Sequence, residues 1–193
     1  MLINDLLALH RTAVRTSVEI VSQVSVDDLG KPTPCSEWTL AELLAHMTAQ
    51  HHGFAAAARG EGGDLAAWEV PAGSRPVADY AEAAEDVLAA FAEPEVPQRE
   101  FELPEFGARF PAMQAIGFHL IDYVVHGWDV ARSLGLDYRL APELAEPALR
   151  IALAVPDGES RLKPGAPFGP ALAADDEDPL NRVLTALGRS PKW

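Results

Sequence analysis

One predicted helix of this chain carries two metal-binding residue types at a spacing that brings them together. Asp122 and His126 are four residues apart, so their side chains lie about 40° apart on one helical face. His119, three residues before Asp122, falls in the same stripe. The intervening residues are mostly apolar, and a buried carboxylate is costly unless it is paired or bound to a metal. The spacing alone leaves two interpretations open, a metal site and an Asp–His hydrogen bond inside a helical bundle.

A third candidate ligand comes from an earlier helix. His46 lies between apolar residues on both sides. A lone histidine on an apolar face is usually a hydrogen-bonded core residue, but facing Asp122 and His126 it would complete three ligands with an open water position. His51 and His52 do not follow His46 at the three- or four-residue spacing that lets two imidazoles share one ion, and we expect both to be exposed.

The residues that flank these candidates each have two interpretations. Asp129 either orients the imidazole three residues before it or forms a salt bridge with Arg132. Trp38 and Trp128 either line a pocket or pack as ordinary large aromatics. Cys35 stands four residues before a predicted helix start, where a thiol can be activated. No histidine adjoins it in sequence, so we expect a buried, inert side chain.

Six helices are predicted from apolar residues that recur at steps of three to five residues. Thr39 and Glu42 form a capping box at the start of the second helix. Pro111 suits the first turn of the fourth helix and Gly135 its end. Strand signals are limited to a weak alternation of apolar and polar residues over 99–110. The predicted helices span residues 2–24, 40–58, 77–92, 112–134, 142–154 and 179–187.

These elements predict an all-α fold, a four-helix bundle with one long crossover connection. The chain is expected to form a single domain, with a core over residues 1–155 and a short helical and irregular C-terminal extension over residues 156–193. Two segments rich in Pro and Gly, 59–76 and 156–179, are expected to cover or line the mouth of the site.

Composition and charge exclude several classes of function. The 193 residues carry 15 Lys and Arg against 29 Asp and Glu, a formal net charge of −14. Nucleic acid and anionic lipid both require a basic face, so we expect neither as a partner. The single cysteine and the absence of an apolar run of about 20 residues or of an export signal predict a cytoplasmic protein that does not span a membrane.

Several motifs together carry a family resemblance. They are PTPCSEWTL at residues 32–40, LLAH at 43–46 and VHGWDVA at 125–131 with Gly135. This pattern resembles the metal-binding domain of the mycothiol-dependent maleylpyruvate isomerase family, part of the wider DinB-like group of four-helix bundles. The closing LGRSPKW at residues 187–193 resembles the tail of a short subfamily of these proteins. The resemblance covers most of residues 1–135 and the last few.

The resemblance implies a divalent cation held by one residue of the second helix and two residues of a later helix. On this chain those residues are His46, Asp122 and His126. The middle ligand of the family is often Glu or His, and because Asp122 is one methylene shorter than Glu, His119 is the alternative. Zinc is the first expectation for this donor set, and nickel, iron and manganese also suit it.

The function that the resemblance implies is a metal- and thiol-dependent transferase or isomerase. Its partners would be a small electrophilic substrate and a low-molecular-weight thiol such as mycothiol. The isomerase of this family has a second, C-terminal domain, and the residues after 135 look too short to form it, so we expect maleylpyruvate isomerisation itself to be absent. The alternatives are a non-catalytic metal- or ligand-binding bundle, and a bundle whose His and Asp residues only form hydrogen bonds. The sequence assigns no catalytic residue beyond the ligands, and it leaves the oligomeric state open, a homodimer included.

Overall fold

The computed structural model describes residues 2–35, 38–69, 75–163, 166–173 and 177–193. These residues form six α-helices and one antiparallel hairpin. The helices are α1 (Ile3–Val21), α2 (Leu40–Ala58), α3 (Pro76–Phe91), α4 (Ala112–Leu134), α5 (Pro142–Ala154) and α6 (Pro179–Ala186), and the strands are β1 (Glu100–Leu103) and β2 (Ala108–Pro111).

Four long helices form a bundle in which α1 and α2 each contact both α3 and α4. Side-chain contacts give the directions of the helices. His10 of α1 bonds His119 of α4, and further along both helices Ser17 lies beside Gly127. His51 of α2 contacts Tyr80 of α3, and further along both helices Arg59 pairs with Asp86. Thus α1 runs parallel to α4, and α2 runs parallel to α3. Parallel neighbours require a long return connection, and residues 59–75 supply the predicted crossover; of these, 70–74 lie outside the described residues.

The predicted helices agree with the structure to within three residues at each end. The weak alternation over residues 99–110 is a real hairpin, in which β1 pairs with β2 from Glu100 opposite Pro111 to Leu103 opposite Ala108. Its turn passes through Gly107 in the left-handed conformation. Pro111 is the residue immediately before α4 rather than part of its first turn. Among the described residues, the helices are too short or too polar to cross a bilayer.

The C-terminal extension is held against the bundle by buried backbone contacts. The guanidinium of Arg161 donates hydrogen bonds to the carbonyls of Val155, Pro156, Gly169 and Ala186. The extension therefore joins the ends of α5 and α6. That residues 156–179 cover or line the mouth of the candidate site stays a prediction.

The turn after α6 depends on a glycine. Gly188 has φ +77°, and a Cβ placed on it would lie 2.7 Å from the carbonyl carbon of Gly169. Backbone atoms cannot move aside cheaply. This close approach defines the turn that leads from α6 to Arg189.

We expect Gly188→Ala to lower the free energy of unfolding by more than about 2 kcal/mol, because it adds a clash to the cost of a positive φ. The matched control is Gly60→Ala, whose glycine has φ +89° with open space around the added Cβ. That control isolates the conformational cost, on the order of 1 kcal/mol. Urea unfolding of both variants gives the comparison, and equal losses would contradict the close approach to Gly169.

Candidate metal centre

The helix that carries His46 begins at a defined point. The Thr39 backbone N–H donates to the Glu42 carboxylate at 2.8 Å, and the Glu42 N–H donates back to the Thr39 hydroxyl at 3.4 Å. This is the predicted capping box, and it satisfies two of the N–H groups that a helix start leaves without partners. His46 lies two turns further on and contacts His126 of α4.

The three predicted ligands come together where α2 crosses α4. One ligand atom from each of His46, Asp122 and His126 lies within 4.8 Å of the other two. His126 Nε2 is 3.3 Å from Asp122 Oδ1, and the His46 and His126 rings are 5.2 Å apart. The Asp122 side chain keeps 19% of its surface exposed, so the cluster can be reached from solvent. Two imidazoles and one carboxylate on adjacent helices are a donor set that suits a divalent cation.

The protonation states of this cluster follow from burial and mutual charge. Burial, and next the charge of His126, lower the pKa of His46 to about 4, so its imidazole is neutral at pH 7. Burial opposes charge on His126, but Asp122 and then Asp129 outweigh it and raise the pKa of His126 to about 9. Burial likewise opposes charge on Asp122, yet the neighbouring His126 holds the pKa of that carboxyl below its usual value. A cation bound at His126 would therefore displace a proton.

A buried carboxylate orients the second histidine. His126 Nδ1 is hydrogen-bonded to Asp129 Oδ2 at 2.9 Å, which leaves Nε2 facing Asp122. Arg189 Nε donates to the same carboxylate at 3.2 Å and 3.3 Å from its two oxygens. A carboxylate behind a ligating histidine holds the ring tautomer and orientation.

Of the two interpretations of Asp129, the orienting hydrogen bond is the one observed. The alternative salt bridge to Arg132 is wrong. The Arg132 guanidinium donates instead to the carbonyl of Trp193, and the cation that pairs with Asp129 is Arg189. No local spacing signals this pair, because the two residues are 60 positions apart and meet only when the extension folds back.

Trp38, Trp128 and Cys35 have three different environments in the structure. The Trp38 ring lies 4.5 Å from the His46 ring and 6.2 Å from the His126 ring, so it forms one side of the cluster. Trp128 packs in the hydrophobic core. Cys35 is half-buried rather than buried as expected.

Three of the remaining four histidines form a second cluster, deeper in the bundle. His119 Nδ1 is 2.8 Å from His10 Nε2, and its other nitrogen is 3.3 Å from His51 Nδ1. Both ring nitrogens of His119 are thus engaged away from the candidate metal ligands, and Asp122 takes the middle position. The prediction that His51 is exposed is wrong, since its exposed fraction is 0%, and His52 is half-buried.

This second cluster is enclosed by aromatic rings and is hard to see in sequence. His51 stacks on Tyr123 at 4.0 Å, and His10 contacts Phe91 at 4.8 Å. His51 stands five residues after His46, about 140° further round α2, and from there its ring contacts His119 and Tyr123 in the interior. For His10 a signal exists: it falls one turn after Leu6 on the apolar face of α1.

Comparison with known proteins identifies the chain. The family model of the mycothiol maleylpyruvate isomerase N-terminal domain matches residues 10–131. The chain belongs to this family. Two relatives from Mycobacterium tuberculosis, the uncharacterized proteins MT0763 and Rv0738, are each 32% identical over 190 residues, covering 96% of this chain and 98% of theirs.

Solved structures of this family share the fold. A crystal structure of a mutant of the mycothiol-dependent maleylpyruvate isomerase superposes with a TM-score of 0.72 at 15% identity, covering 100% of this chain and 91% of that one. A second structure of the isomerase gives a TM-score of 0.67 at 16% identity, with 98% and 90% covered. The predicted DinB-like bundle is confirmed. The expectation that the residues after 135 are too short for a counterpart of the second isomerase domain is wrong, because the superpositions cover 91% and 90% of those chains.

Proposed function

We propose that the protein is a metal- and thiol-dependent enzyme, a transferase or isomerase that acts on a small electrophilic substrate. The observation that supports it is the convergence of His46, Asp122 and His126 at an accessible point of the bundle. Asp129 also orients the His126 imidazole through a hydrogen bond to its other ring nitrogen, as carboxylates do behind metal-binding histidines. A bundle whose polar residues only pair with one another would not need a neutral, half-buried His46 beside the Asp122–His126 pair.

The residues of the chain have separate tasks in this proposal. His46, Asp122 and His126 would hold a divalent cation, with zinc as the first expectation. Such a cation lowers the pKa of a bound thiol and stabilises negative charge on an enolate oxygen. Trp38 shields the two imidazoles on one side. Asp129 keeps the His126 ring turned towards the cluster.

Arg189 provides a further polar group beside the site. Its Nε binds Asp129, and its Nη2 is buried without a hydrogen-bond partner in the described part of the chain. A buried guanidinium N–H with no partner is costly, and an anionic group of a substrate would satisfy it. This group distinguishes the site from one whose polar atoms are all paired internally.

The co-substrate that the family name indicates is mycothiol. In the proposed reaction the thiolate sulfur forms a bond to the electrophilic carbon of an unsaturated carbonyl compound, and the π electrons move onto the carbonyl oxygen as an enolate. Protonation at carbon completes a transfer. Rotation about the former double bond, followed by loss of the thiolate, completes an isomerisation. Maleylpyruvate is a substrate to test because the length argument against it does not hold.

The test compares His46→Ala with His52→Ala, a half-buried histidine of the same helix outside the cluster. Wild-type protein and His52→Ala are expected to hold about one divalent ion per chain by elemental analysis. Both should conjugate a thiol to 1-chloro-2,4-dinitrobenzene, or isomerise maleylpyruvate with added thiol. His46→Ala should lose the ion and the activity together. Activity that persists without the ion would contradict the proposal, and a bound ion with no turnover of any electrophile would favour a non-catalytic metal-binding bundle.

A further inference from the structure

Three phenylalanines form a partly exposed aromatic cluster near the candidate metal centre. Phe106, Phe110 and Phe118 contact one another with ring centroids 5.2 to 5.6 Å apart. We call these three residues the aromatic wall. Phe106 leaves 47% of its surface exposed, although a ring of that size gains most when it is covered. The wall therefore presents an apolar surface to solvent.

The aromatic wall lies beside the metal ligands along α4. Phe118 is four residues before Asp122, so the two side chains are neighbours one helical turn apart. The hairpin tip that carries Phe106 also faces this side. Glu105 directly precedes Phe106 at this tip, so an exposed carboxylate adjoins the aromatic wall.

The hairpin holds its part of the wall in place. Phe101 and Leu103 of β1 are buried in the core. The carbonyl of Glu102 lies so close to Gly62 that a Cβ on that glycine would overlap it. The hairpin side of the wall is thus held against the segment that follows α2 by packed backbone.

The two sides of the metal ligands differ in chemistry. Along α4 the order is Phe118, Asp122, His126 and Asp129, and Arg189 binds Asp129. The side beyond Asp129 therefore carries a guanidinium, whereas the side at Phe118 carries aromatic rings and the Glu105 carboxylate. A ligand that spans the centre would meet positive charge at one end and an apolar surface with negative charge at the other.

We infer that the aromatic wall binds the end of the electrophile remote from Arg189, so that the preferred acceptor carries an aromatic or other apolar, uncharged group there. This rests on the proposed function and adds the class of substrate. A carboxylate at that end would lose hydration against the rings and meet the repulsion of Glu105. Maleylpyruvate, which is charged at both ends, is expected to be a poorer acceptor than an aryl enone.

Turnover tests the inference with matched electrophiles. Wild-type enzyme is expected to add the thiol to 4-phenylbut-3-en-2-one with a kcat/KM about tenfold higher than for the analogue with a para-carboxylate on the ring. Phe106→Ala should lower kcat/KM for the phenyl compound about tenfold and leave pent-3-en-2-one, which has no ring, unchanged. Glu105→Gln should improve the carboxylate analogue. Leu153→Ala, which removes an exposed apolar side chain of α5, is the control and should change none of these values.

Binding without turnover separates the two proposals. The saturated ketone 4-phenylbutan-2-one cannot accept a thiol, and calorimetry measures its Kd directly. Phe106→Ala is expected to raise this Kd at least fivefold, whereas Leu153→Ala should not. If no electrophile turns over but the ketone binds and Phe106→Ala weakens its binding, the proposed function is wrong and the inference about the aromatic wall is supported. If thiol transfer occurs but Phe106→Ala and the para-carboxylate change neither Kd nor kcat/KM, the inference about the wall is overturned.

Discussion

Lowering the pH from 6.5 to 5.5 is expected to reduce the free energy of unfolding by about 3 kcal/mol. Three buried histidines cause this effect, and each contributes about 1 kcal/mol over this interval, because the full slope of about 1.36 kcal/mol per pH unit is reached only well below pH 6.5. Burial lowers the pKa of His10 to about 3, and burial together with His10 holds the pKa values of His51 and His119 well below 6.5. The unfolded chain therefore binds more protons below pH 6.5, and stability present above that pH is lost as the pH falls.

The neighbouring titratable groups do not reverse this sign. His46, with a pKa lowered to about 4, acts in the same direction. His126, with a pKa raised to about 9, loses its contribution between pH 6.5 and 9 and adds no slope below 6.5. Because domains of this kind are stable by only about 5–15 kcal/mol, the effect is a large fraction of the total.

Urea unfolding of metal-free protein between pH 5.5 and 7.5 measures the slope. His51→Phe removes one of the four histidines that titrate in this direction and should reduce the slope by about one quarter, even though absolute stability falls. Phe54→Leu, which truncates a ring in contact with His119, is the control and should lower stability by the same amount at every pH. Parallel curves for wild type and His51→Phe would show that the buried histidines do not govern acid stability.

Replacing Asp129 by alanine is expected to cost about 3–5 kcal/mol of stability. Its side chain is 0% exposed, and it pairs with His126 and with Arg189. Without it, two cationic groups remain buried with too little compensating charge. The same change frees the His126 ring, so metal affinity should fall about 10–100-fold.

Two further variants separate charge from hydrogen bonding. Asp129→Asn keeps an oxygen that can accept from His126 Nδ1 and should lose less metal affinity than Asp129→Ala. Combining Asp129→Asn with Arg189→Met removes both buried charges, and this double variant should be more stable than Asp129→Asn alone. Urea unfolding of metal-free protein and calorimetric zinc titration give the two readouts. Unchanged stability and affinity in Asp129→Ala would contradict this role.

The helices could be predicted because their signals are local. Apolar periodicity, the Thr39–Glu42 cap and the Gly135 stop act within a few residues of each element. The sequence pattern of the hairpin is weak, because two four-residue strands are stabilised by packing against α2 rather than by their own propensity. In the same way, helical spacing placed Asp122 and His126 on one face without any knowledge of the bundle.

From the residues alone one can predict the helices and the shared face of Asp122 and His126, and from the family resemblance the choice of His46 as their partner. The burial of His51, the His10–His119 bond and the position of Arg189 behind Asp129 follow from the folded chain. The difference lies in the range of the interactions. Contacts one helical turn apart follow from the geometry of a single helix, whereas contacts between distant segments depend on how the helices pack and how the extension folds back.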